Sequence, residues 1–530
     1  MLWQHQKERE ASMKAFTRTA IMSACVIGLV LSGGAAHADT QQPPEASMRS
    51  VLDVLSGSVG EDGRKYYVSP AGSDTNPGSK GAPFRTLLRA QEAASAGDVV
   101  YIRGGVYDEF EITETDNPHE SVYHYVNPIS KSGITYMAYP GDSRPVFDFS
   151  NVPTDQRVAA FYIETAVTDV NFVGFDVTGV KVGNQKQSEA FRIAGGANFV
   201  NMAAYGNEAS GFYYTIDGTG AVVDSDAYDN VGPTATAASN TDGFGAHAKN
   251  VWFINSRAWN NSDDGFDSIS SAGRVAYVGS WAFRHHGNQD GVGDKNGFKV
   301  GGYAYRTTGL PDPIPVHTVI DSLAVDNGGN NFYANHQPGQ AAYWINNTAT
   351  DPGYGSNYNM LERVSPTSPD DIAGFREVLH GNLAYEGLTT SNNDTTPENE
   401  TNNSWTIGEG LTLTDEDFVS VDSTQLTAAR RADGSLPEVT YLKPVAGTLA
   451  DENDLGYLTA ANDPYATLSE LVNTYTQSGD ISSAQLNEEL QLELQRHRTD
   501  QFVKALSDAP GDQISDYAVD TLTLVAAALT

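Results

Sequence analysis

Residues 261–267 read NSDDGFD, so Asp263, Asp264 and Asp267 fall within five positions of a stretch that otherwise looks like strand. A solvated turn tip is the simplest explanation, because Asp and Gly dominate turns. Two further residues change the weighing. Asp242 precedes Gly-Phe in NTDGF as Asp264 does in SDDGF, and Lys299 follows Gly-Phe in NGFKVGG as Asp267 does in DGFD. Stacked as neighbouring strands about 4.8 Å apart, two such carboxylates repel by roughly 3 kcal/mol at an effective dielectric near 20. Unless they splay into water they call for a hard cation, and carboxylates at flexible spacing suit Ca²⁺ better than Mg²⁺. No cysteine or clustered histidine argues for a transition metal. A lysine close to a bound cation loses part of its preference for the charged form and becomes a candidate general base. Cation and base together suit proton abstraction beside a carboxylate. Neutralising a uronate carboxylate acidifies its C-5 proton, the amine takes that proton, and the 4-linked sugar leaves by β-elimination. Taken alone, Lys299 reads as an ordinary ladder or surface lysine. Its register beside the aspartates marks it.

What could hold these residues in register is a repeat. FVNMAAY (199–205), VVDSDAY (222–228), FINSRAW (253–259), YVGSWAF (277–283), VIDSLAV (319–325), WINNTAT (344–350) and LHGNLAY (379–385) share one pattern, with alanine at 204, 227, 258, 282, 324, 349 and 384. GFY (211–213), GFG (243–245), GFD (265–267), GFK (297–299) and NFY (331–333) interleave with it. Short strands between Asn, Asp and Gly, recurring every 22 to 25 residues or so, are too small to bury an apolar face alone and must stack. The expected fold is all-β: a right-handed, single-stranded parallel β-helix (solenoid). A propeller would need about 40–45 residues per blade. The asparagines that follow each repeat are expected to form an interior hydrogen-bond ladder. TLLRAQEAASAGD (86–98) has helical spacing ahead of the strand VVYIRGG (99–105) and is expected to cap the first coil, since solenoid ends must be covered. A charged helix is expected over 483–508.

The resulting organisation is a leader and signal peptide over 1–38, a linker over 39–63, and the catalytic solenoid over 64–390. Its end with polar loops covers 391–450, and a partly helical extension covers 451–530. Within the leader, Met13-Lys14 and Arg18 precede an apolar run from Ala20 to Leu31 and the small-residue site AHA (36–38). That run is too short for a comfortable transmembrane span. The expected location is therefore outside the cytoplasm, extracellular or periplasmic. Cys25 is the only cysteine and lies inside this signal, which removes thiol chemistry and disulfides from the mature chain. The formal net charge is −35. A surface this acidic disfavours nucleic acid and anionic membranes, so neither is expected as a partner. If the substrate is itself a polyanion, a cation must bridge two negative partners.

NTDGF, SDDGFD and NGFKVGG, in this order on a solenoid pattern, resemble polysaccharide lyase family 9, the secreted pectate lyases. YYVSPAGSDTNPGSKGAPFRTL (66–87), DNGGNNF (326–332) and ADGSLP (432–437) are similar to the same group, and the similarity runs from about 64 to 445. The resemblance implies Ca²⁺ on Asp242, Asp263, Asp264 and Asp267, and Lys299 as Brønsted base. It implies a monomer acting on an acidic polysaccharide, pectate or polygalacturonate. One departure stands out. Where such enzymes often carry lysine shortly after the first DGF, this chain has His247 and then Lys249.

Three rivals remain at this level. NTD followed by DD also resembles polygalacturonases, in which paired carboxylates run hydrolysis; the Gly-His-Gly and Arg-Ile-Lys elements of that group are missing. A lyase for another acidic polymer such as alginate shares the fold. A non-catalytic β-helical glycan-binding protein would bind without turnover. Arg284, His285 and His286 are candidate contacts for substrate carboxylates, or a solvated turn.

Overall fold

The computed structural model describes residues 46–60, 63–115, 122–339, 342–457 and 463–530; the expected signal peptide lies outside them. Its β-structure is dominated by three long sheets of twelve, ten and eleven strands, each strand pairing with its counterpart one coil on. Within these three sheets the pairing is parallel, apart from one antiparallel edge pair, Thr113–Thr115 with Tyr123–Ile129. This is the expected right-handed parallel β-helix.

The repeat now has a physical reading. Its third residue makes the bend from the first sheet to the second and sits in the left-handed region: Asn201, Asp224, Asn255, Gly279, Asp321, Asn346 and Gly381, all with φ between 49° and 67°. Only Gly, Asn and Asp adopt that conformation cheaply. The residue after the bend satisfies backbone amides across coils. Ser225, Ser256, Ser280, Ser322, Asn347 and Asn382 are all buried and accept from the coil before. The alanine that follows packs inward, and the seven alanines are direct register partners from 204 to 384. The expected asparagine ladder runs through Asn207, Asn230 and Asn261, each amide donating to the next side-chain carbonyl at 2.8–2.9 Å. His285 continues it, its Nδ1 accepting from the Asn261 backbone N–H at 3.1 Å. That histidine is therefore interior, and Arg284 is turned onto Ser423.

In the third sheet the Gly-Phe repeats align. Phe161, Phe191, Phe212, Phe244, Phe266, Phe298, Phe332 and Tyr358 stack through the core with ring centroids 4.7–5.1 Å apart. The glycine before Phe212, Phe244, Phe266 and Phe298 lets adjacent coils close up: a Cβ at Gly265 would lie 2.7 Å from the Gly297 carbonyl and from His285 Nε2. Truncating a mid-stack ring by Phe212→Ala is expected to cost about 3–5 kcal/mol, seen as a lower urea midpoint with the solenoid circular dichroism retained. A midpoint within 0.5 kcal/mol of wild type would contradict the stack as the main source of cohesion.

The ends follow expectation in part. Helix α1 (Leu87–Ala93), capped by the Thr86 hydroxyl, buries Leu87 and Ala90 against the first coil. Residues 39–63, expected as a linker, contain a helix over Ala46–Leu55 that buries Val51 and Val54. The last solenoid strands are Thr390–Ser391 and Glu400–Thr401. Loops and short 3₁₀ turns then cover the second sheet through Phe418, Leu426, Tyr441 and Leu455. The helix expected over 483–508 is two, Ala484–Gln495 and Thr499–Asp508, flanked by Pro464–Ser478 and Asp516–Leu529. These helices cover the outer face of the first sheet at Val223, Trp252, Ile254 and Val278. That outer face is apolar on alternate residues, so it needs a lid.

Candidate active site

Strand alternation turns the residue after each core ring outward. Register pairing lines these residues up as Tyr213, Gly245, Asp267, Lys299, Tyr333 and Asn359. Asp267 and Lys299 are thus direct neighbours on adjacent coils, as the Gly-Phe alignment predicts.

The residue two before each ring forms a second column: Ser210, Asp242, Asp264, Asn296, Asn330 and Ser356. It is a hydrogen-bond ladder. Asp264 N donates to Asp242 Oδ1 at 3.2 Å, Asn296 N to Asp264 Oδ1 at 2.8 Å, Asn330 N to Asn296 Oδ1 at 3.0 Å and Ser356 N to Asn330 Oδ1 at 3.1 Å. Asp242 and Asp264 therefore occupy positions where an asparagine satisfies the backbone equally well. Each uses one carboxylate oxygen for the fold and brings in an extra negative charge.

All five expected residues converge and are nearly inaccessible, from 0% exposed for Asp264 to 8% for Lys299. Lys299 Nζ lies 3.1 Å from Asp264 Oδ2 and 3.2 Å from Asp267 Oδ2. It donates a hydrogen bond to Asp294 Oδ2 at 3.1 Å. Asp263 is held by the same residue, its Oδ1 accepting from Asp294 N at 2.6 Å. Asp267 Oδ1 accepts from Ile269 N at 2.7 Å, which fixes the carboxylate.

The electrostatics are those of an acidic cluster short of positive charge. Burial, then the charges of Asp267 and Asp264, push the Asp242 carboxyl well above the usual range. Burial and Asp264 do the same to Asp263, and burial pushes Asp264 up to about 6 against the pull of Lys299. For Lys299 burial favours the neutral amine, but Asp264, Asp267, Asp294 and Asp263 together outweigh it and hold the group above its ordinary value. The ammonium is thus the counter-charge to these carboxylates, and the partly neutral amine stays the expectation for a lysine beside a bound cation.

The donor set fits a hard divalent cation. Asp242, Asp263 and Asp264 each offer a carboxylate oxygen within 4.8 Å of the others, and so do Asp242 and Asp267 with His247. Asp264 Oδ2 is buried with no hydrogen-bond donor among the described residues, leaving it only the Lys299 charge. Oxygen-rich, flexible and multiply charged, this is Ca²⁺ chemistry in type.

Three features escape the sequence reading. Asp294 lies in DGVGDKNG (290–297), a loose likeness of a calcium loop that lacks the Glu and spacing of an EF-hand and reads equally well as a glycine-rich bend; only its five-residue distance from Lys299 hints at the contact. His247 reaches the cluster, whereas Lys249 points away to an ion pair with Asp217 at 3.1 Å. Beside Lys299, the Tyr333 hydroxyl lies 2.7 Å from His336 Nε2, and His336 Nδ1 lies 2.8 Å from Asp371 Oδ1. Arg284, His285 and His286 are not part of this site; His286 pairs with Asp326 at 3.4 Å.

Residues 66–382 match the family of Pel9A-like right-handed β-helix regions. Pectate lyase L of Dickeya dadantii (strain 3937) is 31% identical over 422 residues, covering 76% of this chain and 89% of the relative. Among solved structures, a rhamnogalacturonan lyase superposes with a TM-score of 0.65 at 33% identity, over 74% of this chain and 100% of the other. Pectate lyase Pel9A does so with a TM-score of 0.54 at 27% identity, over 73% and 90%. With Asp242, Asp263, Asp264, Asp267 and Lys299 gathered on one face of such a solenoid, the chain belongs to the Pel9A-like right-handed β-helix family of polysaccharide lyases, polysaccharide lyase family 9.

Proposed function

We propose that the protein is an exported, calcium-dependent pectate lyase that cleaves 4-linked galacturonan by β-elimination. One observation carries the reading: among the described residues, the only amine in a buried four-aspartate cluster, Lys299, faces outward along the sheet with its Nζ 3.1–3.2 Å from Asp264, Asp267 and Asp294. Asp242, Asp263, Asp264 and Asp267 would hold the cation. When bound, Ca²⁺ supplies positive charge at the uronate carboxylate, which acidifies the adjacent C-5 proton. Lys299, once freed of its own proton, takes the C-5 proton. The C–H electron pair becomes the C4–C5 double bond, the C4–O bond breaks, and the departing oxygen takes a proton from solvent. Asp267 and Asp294 hold the amine at its station on the groove wall. Export is supported by residues 13–38, with their basic start, apolar run and AHA site. No helix among the described residues is long and apolar enough to cross a membrane.

A second substrate has specific support. The rhamnogalacturonan lyase is matched along its whole length and with the higher TM-score of the two solved lyases. The same base and cation would act there on galacturonate residues that alternate with rhamnose. The deciding measurement is near-ultraviolet absorbance of products from polygalacturonate, rhamnogalacturonan, alginate and chondroitin, each with and without chelator. We expect unsaturated products from polygalacturonate, lost on chelation and restored by calcium. Absorbance from rhamnogalacturonan alone favours the second substrate; reducing ends without absorbance would refute elimination.

A further inference from the structure

The chain carries few histidines, and the sequence clusters none of them near the aspartates, yet the fold brings one into the cation cluster. His247 lies two residues beyond Gly245, the glycine of the outward column between Tyr213 and Asp267. The imidazole rests over that glycine: a Cβ there would stand 2.8 Å from Nε2 and 3.0 Å from Cδ2. Tyr213 flanks the ring on the other side, with centroids 5.0 Å apart. The far nitrogen is fixed as well, because Nδ1 lies 2.8 Å from the Ile269 carbonyl oxygen. A carbonyl only accepts, so Nδ1 carries the proton and, in the neutral ring, Nε2 presents a bare lone pair. That atom is buried and has no hydrogen-bond partner among the described residues. A ring nitrogen of His247 lies within 4.8 Å of donor oxygens of both Asp242 and Asp267, and Nε2 is the one that the Ile269 contact leaves without a partner among the described residues. A metal-binding imidazole is commonly oriented in this way, by a backbone carbonyl on its other nitrogen.

The cluster therefore has two three-donor faces that share Asp242. Asp242, Asp263 and Asp264 make one entirely of carboxylates; Asp242, His247 and Asp267 make the other with one nitrogen. We infer that His247 Nε2 is a metal donor, and that the mixed face takes a borderline first-row cation such as Zn²⁺ or Ni²⁺ in competition with calcium. Imidazole nitrogen favours such ions, while the carboxylate face favours hard ones. Because both faces draw on Asp242, filling the mixed face weakens the other. This rests on the cation reading above and adds to it a selectivity and a mode of inhibition.

Calorimetric titration of the full chain with ZnCl₂ and, separately, CaCl₂ tests it. In wild type, Zn²⁺ is expected to bind and to weaken the calcium isotherm. His247→Gln, close in size and still able to donate to Ile269, is expected to lose at least about tenfold in Zn²⁺ affinity while calcium affinity moves less than threefold. His247→Ala serves as a second variant, with circular dichroism checking that both fold. Zn²⁺ affinity unchanged in both variants would overturn the inference, leaving an adventitious ion only. Equal loss of both metals would also overturn it, since that is what a purely positioning ring would cause. Wild type that binds Zn²⁺ through His247 but no Ca²⁺ would instead refute the calcium reading and leave this donor standing.

Discussion

Lys299→Ala is expected to lower turnover of galacturonan by about 10²–10⁴-fold, with the cation still bound. Among the described residues the site offers no second amine to take over. The other titratable groups there are the carboxylates, Tyr333 on the next coil and His247, which packs over Gly245 on the far side of Asp267. Lys299→Arg should not rescue, because a guanidinium does not give up its proton near neutrality. A structural role would leave a different signature. Lys299 is the counter-charge to Asp264, Asp267, Asp294 and Asp263. Removing it leaves those carboxylates unpaired and should tighten divalent-cation binding by calorimetry, even as turnover disappears. The stability of the variant should then depend more steeply on calcium, since a ligand that binds only the folded state stabilises by about 2.7 kcal/mol at a hundredfold excess over its Kd. Turnover within threefold of wild type would remove Lys299 from the chemistry.

The solenoid was legible because its repeat obeys backbone constraints that show in residue type. A left-handed bend accepts Asn, Asp or Gly, so 201, 224, 255, 279, 321, 346 and 381 betray the corner of each coil. Close approach of the middle coils demands the glycine before Phe212, Phe244, Phe266 and Phe298, so the Gly-Phe pairs betray register. Once register is known, Asp267 opposite Lys299 follows by counting. What sequence could not show depends on side-chain reach across loops. Asp294 comes to Lys299 from a glycine-rich bend whose path no periodicity dictates. His247 comes to Asp242 only because Gly245 leaves room for its ring. Tyr333, His336 and Asp371 meet through contacts 3 and 35 residues apart. His285 misled in the opposite sense: as one of a His pair beside an arginine it looked exposed, yet its place matches asparagine in the buried ladder. The helix at Ala46–Leu55 was hidden for a related reason. Its partner is the outer face of the first sheet, and nothing local to that segment reveals it.

Asp264→Asn is expected to weaken calcium affinity by about 100-fold or more while leaving the fold intact. The ladder makes this substitution unusually clean. Asp264 Oδ1 accepts from Asn296 N and Nδ2 at 2.8 and 2.9 Å, and one coil on Asn296 Oδ1 does the same work for Asn330 at 3.0 and 2.9 Å. An asparagine at 264 keeps that acceptor and removes only the charge. Asp264→Ala would also orphan the Asn296 amide, a further cost of about 1–3 kcal/mol. Charge count is a main control of affinity in oxygen-ligated calcium sites, so the loss belongs to the cation and not to the scaffold. Stability against pH supplies an independent reading. In chelator, Asp264 is pushed up to about 6 by burial, above its unfolded value near 3.9. The unfolded chain therefore sheds this proton first as pH rises, and wild type loses stability between about pH 4 and 6. The asparagine variant should be the more stable above that window and should lose its advantage below it. Calcium should reverse the order at pH 8 by stabilising wild type alone. Melting curves at pH 4 and 8, with calcium or with chelator, check all four conditions. Equal calcium affinity in the two proteins, or an advantage for asparagine that persists at pH 4, would break the link between this carboxylate and the cation.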